Sequence, residues 1–216
     1  MNHNIFSDEN KMNVILDLDS TIIHSLEPDE YVYLPSDFQN KFINKDMLGY
    51  VRIFARPNLE YFLDYLFKNY DVSVLTAADY GYGWFIIQNF ILTNPDRKLK
   101  YFMHHYHTEI ADEMYGKHKD LRMLFDIFQL QNMSKHNTVI IDDLDDVHKV
   151  NPNHAIAIAS FDVTRDNKIN YESVNDNDLQ RVQTILETLR TKFEASPCVR
   201  QIYFGYTPTV ESPFFL

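Results

Sequence analysis

Four short apolar runs constrain the fold more than anything else in this chain: Val14-Ile15-Leu16, Val72-Ser73-Val74-Leu75, Thr138-Val139-Ile140-Ile141 and Ala155-Ile156-Ala157-Ile158. Each is short and almost continuously apolar, which reads as a strand buried on both faces. Helical spacings lie between them. Leu59, Phe62, Leu63, Leu66 and Phe67 follow the i, i+3, i+4, i+7, i+8 pattern of one buried face, behind a Pro57 that predicts a helix start. Residues 84–91 predict a second helix and Leu121, Leu124, Phe125 and Phe128 a third. Leu179, Val182, Leu186, Leu189 and Phe193 predict the last, with cap candidates from Asn175 to Asp178. Strands alternating with helices imply an α/β fold, a mostly parallel sheet with helices on both faces. Alternation at Tyr31-Val32-Tyr33-Leu34 and at Tyr50-Val51-Arg52-Ile53-Phe54 predicts a small β-hairpin insertion after the first strand.

Composition narrows the class. With 216 residues, 45% hydrophobic, the chain suits one globular domain. No apolar run approaches the ~20 residues that span a bilayer, and residues 1–11 lack the regions of a signal peptide. A single cysteine, Cys198, rules out an internal disulfide framework, and nine scattered histidines show no zinc spacing. A soluble intracellular protein is expected, without membrane association. The net charge of −11 opposes non-specific nucleic-acid binding.

Three of the runs end on reactive side chains: Asp17 and Asp19 after the first, Thr76 after the second, Asp142 and Asp143 after the third. Parallel strands bring their carboxyl ends to one edge, so these residues are expected to converge there. Lys119 lies between the second and third runs, at the expected start of a helix. A carboxylate nucleophile, a hydroxyl, a lysine and a second acidic pair suit phosphoryl transfer, where catalysis is positioning plus stabilisation of charge on the phosphoryl oxygens. Asp17 and the Asp142/Asp143 pair offer the oxygen ligands that Mg²⁺ prefers.

The element Asp17-Leu18-Asp19-Ser20-Thr21 resembles the first motif of the haloacid dehalogenase-like superfamily. Residues 16–25, LDLDSTIIHS, are similar to the signature of the FCP/SCP, or NIF-like, group of phosphatases acting on the RNA polymerase II C-terminal domain. The resemblance continues through Ala55-Arg56-Pro57, Leu75-Thr76-Ala77-Ala78, Lys119-Asp120-Leu121, Ile141-Asp142-Asp143 and Asn151-Pro152-Asn153-His154, covering residues 12–190. It implies a Rossmann-like sheet and an Mg²⁺-dependent phosphatase, and the segments between Thr21 and Arg56 and between Asp79 and Lys119 are too short for a large cap. It implies that Asp17 attacks phosphorus to form an aspartyl-phosphate and that Asp19 serves as acid, then base. It further implies that Thr76 and Lys119 hold the phosphoryl oxygens, and that Lys119 favours an ionised Asp17. Asp17, the Asp19 carbonyl and Asp143 would be the metal ligands, with Asp142 a further ligand or a support behind them.

Three stretches depart from the group's pattern: Leu144-Asp145-Asp146, Asp79-Tyr80-Gly81-Tyr82-Gly83-Trp84 and His104-His105-Tyr106-His107. A Ser/Thr phosphoprotein phosphatase is the first expectation, acting on a phosphorylated protein or peptide. A phosphatase of small or nucleic-acid-terminal phosphates, and a non-catalytic module keeping the fold, are the alternatives. One catalytic domain over residues 1–200 and a tail over 201–216 are expected. The aromatics Tyr80, Tyr82 and Trp84 suit either a peptide groove or packing. The histidines, treated as strand residues alternating between faces, suit the rim, and Arg56 suits a supporting role.

Overall fold

The structure, a computed structural model, describes residues 11–195. The expectations placed on the N-terminal segment, on Cys198 and on the tail lie outside these residues. The first apolar run forms β1 (Asn13–Leu16), the middle strand of a five-stranded sheet. A three-stranded insertion follows, from β2 (Ile23–Leu26), β3 (Asn44–Met47) and β4 (Val51–Ala55), in the order β2-β4-β3. The strand expected at 50–54 is present as β4, but its hairpin partner is β3, turning through Leu48 and Gly49, both at positive φ.

The predicted strand at 31–34 is not. Pro28 sits in the first turn of a short helix, α1 (Pro28–Tyr31), whose entry is closed by Glu27 and Glu30 bonding reciprocally to the backbone. This capping box overrides the apolar alternation. A second short helix, α2 (Ser36–Gln39), carries Phe38 into an insertion core with Leu26, Leu34, Phe42, Phe54, Phe161 and Val163.

The chain then builds α3 (Leu59–Asn69), β5 (Asp71–Leu75), α4 (Tyr80–Ile86), β6 (Phe102–Met103) and α5 (His105–Tyr115). It closes with β7 (Thr138–Asp142), α6 (Asp145–Val150), β8 (Ala155–Ala157), the small pair β9 (Thr164–Arg165) and β10 (Lys168–Ile169), and α7 (Asp178–Ala195). Helix α3 starts at Leu59, behind Asn58 at φ 65°, so Pro57 precedes the helix instead of opening it. Helix α4 starts four residues earlier than its apolar stripe suggests, because Asp79 caps it by accepting the Tyr82 N–H at 3.0 Å; it widens into a π-helical turn at Ile87–Ile91. The segment predicted as a helix from Leu121 is one π-helical turn, Met123–Ile127.

Strand order is β6-β5-β1-β7-β8 and every pairing in this sheet is parallel. Period-2 alternation sorts the core. Val14, Leu16, Val74 and Ile141 pack with α3 and α7, whereas Ile15, Leu75 and Ile140 pack on the other face with Ala111 of α5 and Val147 of α6. Helices therefore cover both faces, as expected. The order reverses between β1 and β7, and in such sheets the crevice beyond those two strand ends receives the ligand. Among the described residues no large cap covers that crevice, and no helix is long and apolar enough to cross a membrane.

Candidate active site

Asp17 leaves the end of β1 with its N–H donated to the carbonyl of Ile141 on β7, at 3.1 Å. That bond sets it beside Asp142, the last residue of β7. Lys119 reaches the pair from the turn after α5, its Nζ 2.6 Å from Asp17 Oδ1 and 2.7 Å from Asp142 Oδ2. It stands in that turn and not in a helix; Asn151 holds the turn by donating to the Lys119 carbonyl at 2.8 Å and accepting the Leu121 N–H at 3.0 Å. The Thr21 hydroxyl lies 2.8 Å from Asp17 Oδ2 and 3.3 Å from Asp143 Oδ1. Both oxygens of Asp17 are therefore engaged, and the carboxylate is fixed in direction.

Asp19, two residues on, lies apart from this knot. Its Oδ1 accepts a short hydrogen bond from the Tyr82 hydroxyl, which also bonds Ser25 Oγ. Ser20 takes φ 56°, and the Ile22 N–H donates to the Leu18 carbonyl at 2.9 Å, so the chain turns sharply just after the two aspartates. Arg56 braces that turn. Fully buried, it donates Nη1 to the Thr21 carbonyl at 2.8 Å, and its Nε and Nη2 to the two oxygens of Asp176 at 2.7 and 2.8 Å. Asp176, expected as a helix cap, thus ties the approach to α7 to the Asp17–Thr21 turn. Thr76 is buried at the end of β5, the strand beside β1, where its Oγ1 accepts the Ala78 N–H at 3.1 Å.

Burial raises both aspartates, but their neighbours differ. Burial pushes the Asp17 carboxyl up, and Asp142 adds to this, while Lys119 and Thr21 pull the other way. Lys119's own influence is as expected, but burial and Asp142 outweigh it. Burial also opposes the Lys119 charge, yet Asp17 and Asp142 outweigh that and hold the ammonium above the usual lysine range. Burial raises Asp19 to about 6, against the Tyr82 hydrogen bond, with Asp17 adding repulsion.

Asp17, Asp142 and Asp143 each offer an oxygen, all within 4.8 Å of one another. Lys119 pairs with Asp17 and Asp142 but not with Asp143, so three ionised carboxylates here outnumber the one ammonium. A hard divalent cation with oxygen ligands fits that deficit.

Sequence reasoning brought together Asp17, Lys119, Asp142 and Asp143 correctly, with Asp19 and Thr76 on the same sheet edge. It missed Tyr82 as the partner of Asp19, and Asn151 and Asp176 as braces. The position of Tyr82 on the first turn of the helix after Thr76 was the available signal. His104 and His107 are not strand residues: His104 caps α5 and His107 sits in its first turn, their rings 4.9 Å apart.

A doubly wound sheet with an aspartate pair, a lysine and an acidic cluster at its switch point is the class of architecture this chain presents. The family described as NLI interacting factor-like phosphatase matches residues 12–196, and the chain belongs to it. It is 37% identical over 181 residues to the CTD phosphatase-like protein 355R of Invertebrate iridescent virus 6, covering 81% of this chain and 96% of that protein. The 355R protein of Invertebrate iridescent virus 3 is 34% identical over 185 residues, with 82% and 96% covered. Phosphatase PSR1 of Saccharomyces cerevisiae is 27% identical over 192 residues, 86% of this chain but 38% of that protein. The fold matches the structure of Fcp1, an essential RNA polymerase II CTD phosphatase, with a TM-score of 0.58 at 20% identity, over 86% of this chain and 64% of that one.

Proposed function

We propose that this protein is an Mg²⁺-dependent phosphatase of phosphoserine or phosphothreonine in proteins, working through an aspartyl-phosphate on Asp17. One observation carries the reading: a buried carboxylate, fixed through both oxygens by Lys119 and Thr21, stands two residues before a second carboxyl in a separate environment. Asp17 stands in an ion-pair knot and Asp19 beside a hydroxyl, which suits a nucleophile and a separate acid.

Asp17 attacks the phosphorus atom and the ester P–O bond breaks. Asp19 gives its proton to the leaving serine or threonine oxygen, which its raised value of about 6 suits. Asp19, now a carboxylate, takes a proton from water as that water attacks the phosphorus of the aspartyl-phosphate, returning Asp17 and releasing phosphate. Lys119 and Thr76 donate to the phosphoryl oxygens throughout. Asp17, Asp143 and the Asp19 carbonyl would hold Mg²⁺, with Asp142 as a further ligand or a support, and the bound ion would neutralise charge on those oxygens. The absence of a large cap among the described residues favours a phosphate presented on a protein, and the relatives' names point to the same substrate class.

Hydrolysis of phenyl phosphate tests the reading, run with Mg²⁺, with EDTA, and with an Asp17→Asn variant. Turnover that needs Mg²⁺ and vanishes in the variant is expected. Turnover that persists in EDTA or in Asp17→Asn would overturn it.

A further inference from the structure

We infer that an aromatic strip on α4 and β6 binds an arginine flanking the phosphorylated residue of a protein substrate; the inference rests on the phosphatase reading above for where the phosphate sits. The strip abuts Thr76. A Cβ at Gly83 would stand 2.7 Å from Phe102 Cζ and 3.5 Å from Thr76 Cγ2, so glycine lets the Phe102 ring lie flush on α4 beside Thr76. Tyr80 packs 5.5 Å from Phe102 and 5.6 Å from His104, centroid to centroid. Trp84, one helical turn on, lies 6.2 Å from Tyr80 with the two planes only 8° apart. Tyr80 remains 55% exposed and Trp84 36%, although both stand among aromatic partners that could have covered them. Tyr82, the partner of Asp19, lies between Tyr80 and Trp84 on the same helix, so the helix that carries the strip also reaches Asp19.

The chemistry of the occupant follows from charge. Tyr80 and Trp84 stack on each other, and the outer side of this exposed pair attracts a guanidinium, which stacks on aromatic rings and is more weakly hydrated than an ammonium. The exposed Asp79 carboxylate directly precedes Tyr80. The chain carries −11 overall, which steers cationic segments towards it. An uncharged ring or aliphatic side chain would gain only from contact area. An arginine gains from the ring faces, from Asp79 and from the field.

The experiment compares two peptides carrying a non-hydrolysable phosphonate analogue of phosphoserine, one flanked on both sides by arginine and the other by citrulline, its uncharged isostere. Affinities are measured calorimetrically with Mg²⁺ present, alongside the emission of Trp84, the chain's one tryptophan. The arginine peptide is expected to bind roughly threefold to tenfold tighter, as cation–π contacts of this type give, and to change the Trp84 emission. Tyr80→Leu and Trp84→Leu, which keep apolar bulk and lose the π face, should each shrink that ratio, and Trp84→Phe should restore most of it. Equal affinities in the unaltered protein would overturn the inference. So would a ratio that survives both leucine variants, since the preference would then belong to net charge. Turnover of phenyl phosphate is measured separately. If it occurs while neither peptide binds, this inference fails alone; if it does not occur, the phosphatase reading fails first.

Discussion

At the floor of the site Asp17, Lys119 and Asp142 are each at most 5% exposed, and every charge has a partner within 2.7 Å. At the rim Tyr80 and Leu144 stand more than half exposed, and Asp145 and Asp146 keep over four-fifths of their side chains in solvent. The floor is assembled from strand ends and tied by short ionic contacts, so loss of Lys119 leaves two buried carboxylates without a cation, whereas loss of Asp17 leaves Lys119 paired with Asp142. The rim is assembled from helix surfaces whose side chains answer to water. On the proposed function the first would carry the chemistry and the second would meet the partner, and the two should respond to mutation on different scales.

The largest expected effect is on the floor. Asp17→Asn should lower phenyl phosphate turnover by at least about 10³-fold, as loss of a nucleophile does, with a far-UV spectrum unchanged. Lys119→Met should act on stability as well. It leaves Asp17 and Asp142 facing each other without a cation, and removal of one partner from a buried ionic group costs about 3–5 kcal/mol, measurable by urea unfolding. Retention of full stability there would show that the floor is not electrostatically tied.

The brace sits between floor and rim in expected size. Arg56→Met strands Asp176, whose side chain is 18% exposed, and frees the Thr21 carbonyl. A loss of about 2–3 kcal/mol is expected, below the fully buried case because water reaches Asp176. Turnover should fall more through kcat than through KM, since the Asp17–Thr21 turn loses its support while the rim is untouched.

The floor was largely legible in the sequence, for a physical reason. A strand buried on both faces must be continuously apolar, so the first polar residue after it marks the sheet edge, and Asp17, Thr76 and Asp142 declared themselves in this way. Lys119 was found by its motif, but the turn that carries it was not, because a π-helical turn and its preceding loop have no distinctive period. The Arg56–Asp176 pair spans 120 residues of sequence and has no local signature at all. The helix at 28–31 was hidden by apolar alternation, which Pro28 and the Glu27/Glu30 box overruled. At the rim, the strip from Tyr80 to Phe102 depends on a close approach at Gly83 that only the assembled fold reveals.

Smaller effects sharpen the comparison. The kcat/KM of a small phosphate should fall as pH rises through about 6, because Asp19 must carry its proton to protonate the leaving oxygen. Tyr82→Phe removes a hydrogen bond that favours the carboxylate, so the midpoint of that fall should move to higher pH. The sign for stability is the same: a carboxyl raised from 3.8 to about 6 contributes stability that is present below the lower value and lost as pH climbs through the upper one. The smallest effect belongs to the rim. Asp145→Asn with Asp146→Asn should leave the melting temperature and phenyl phosphate turnover unchanged, since exposed charges contribute little; a marked fall in either would erase the distinction between floor and rim.

The central claim is that Asp17 carries the phosphoryl group between the two steps, and rapid acid quenching of turnover tests it most directly. With a ³²P-labelled phosphoserine peptide and Mg²⁺, label should appear within the first turnover on the peptide fragment containing Asp17, stable in acid and released by hydroxylamine. Steady turnover with no labelled protein at any quench time, or label that persists in Asp17→Asn, would contradict the account.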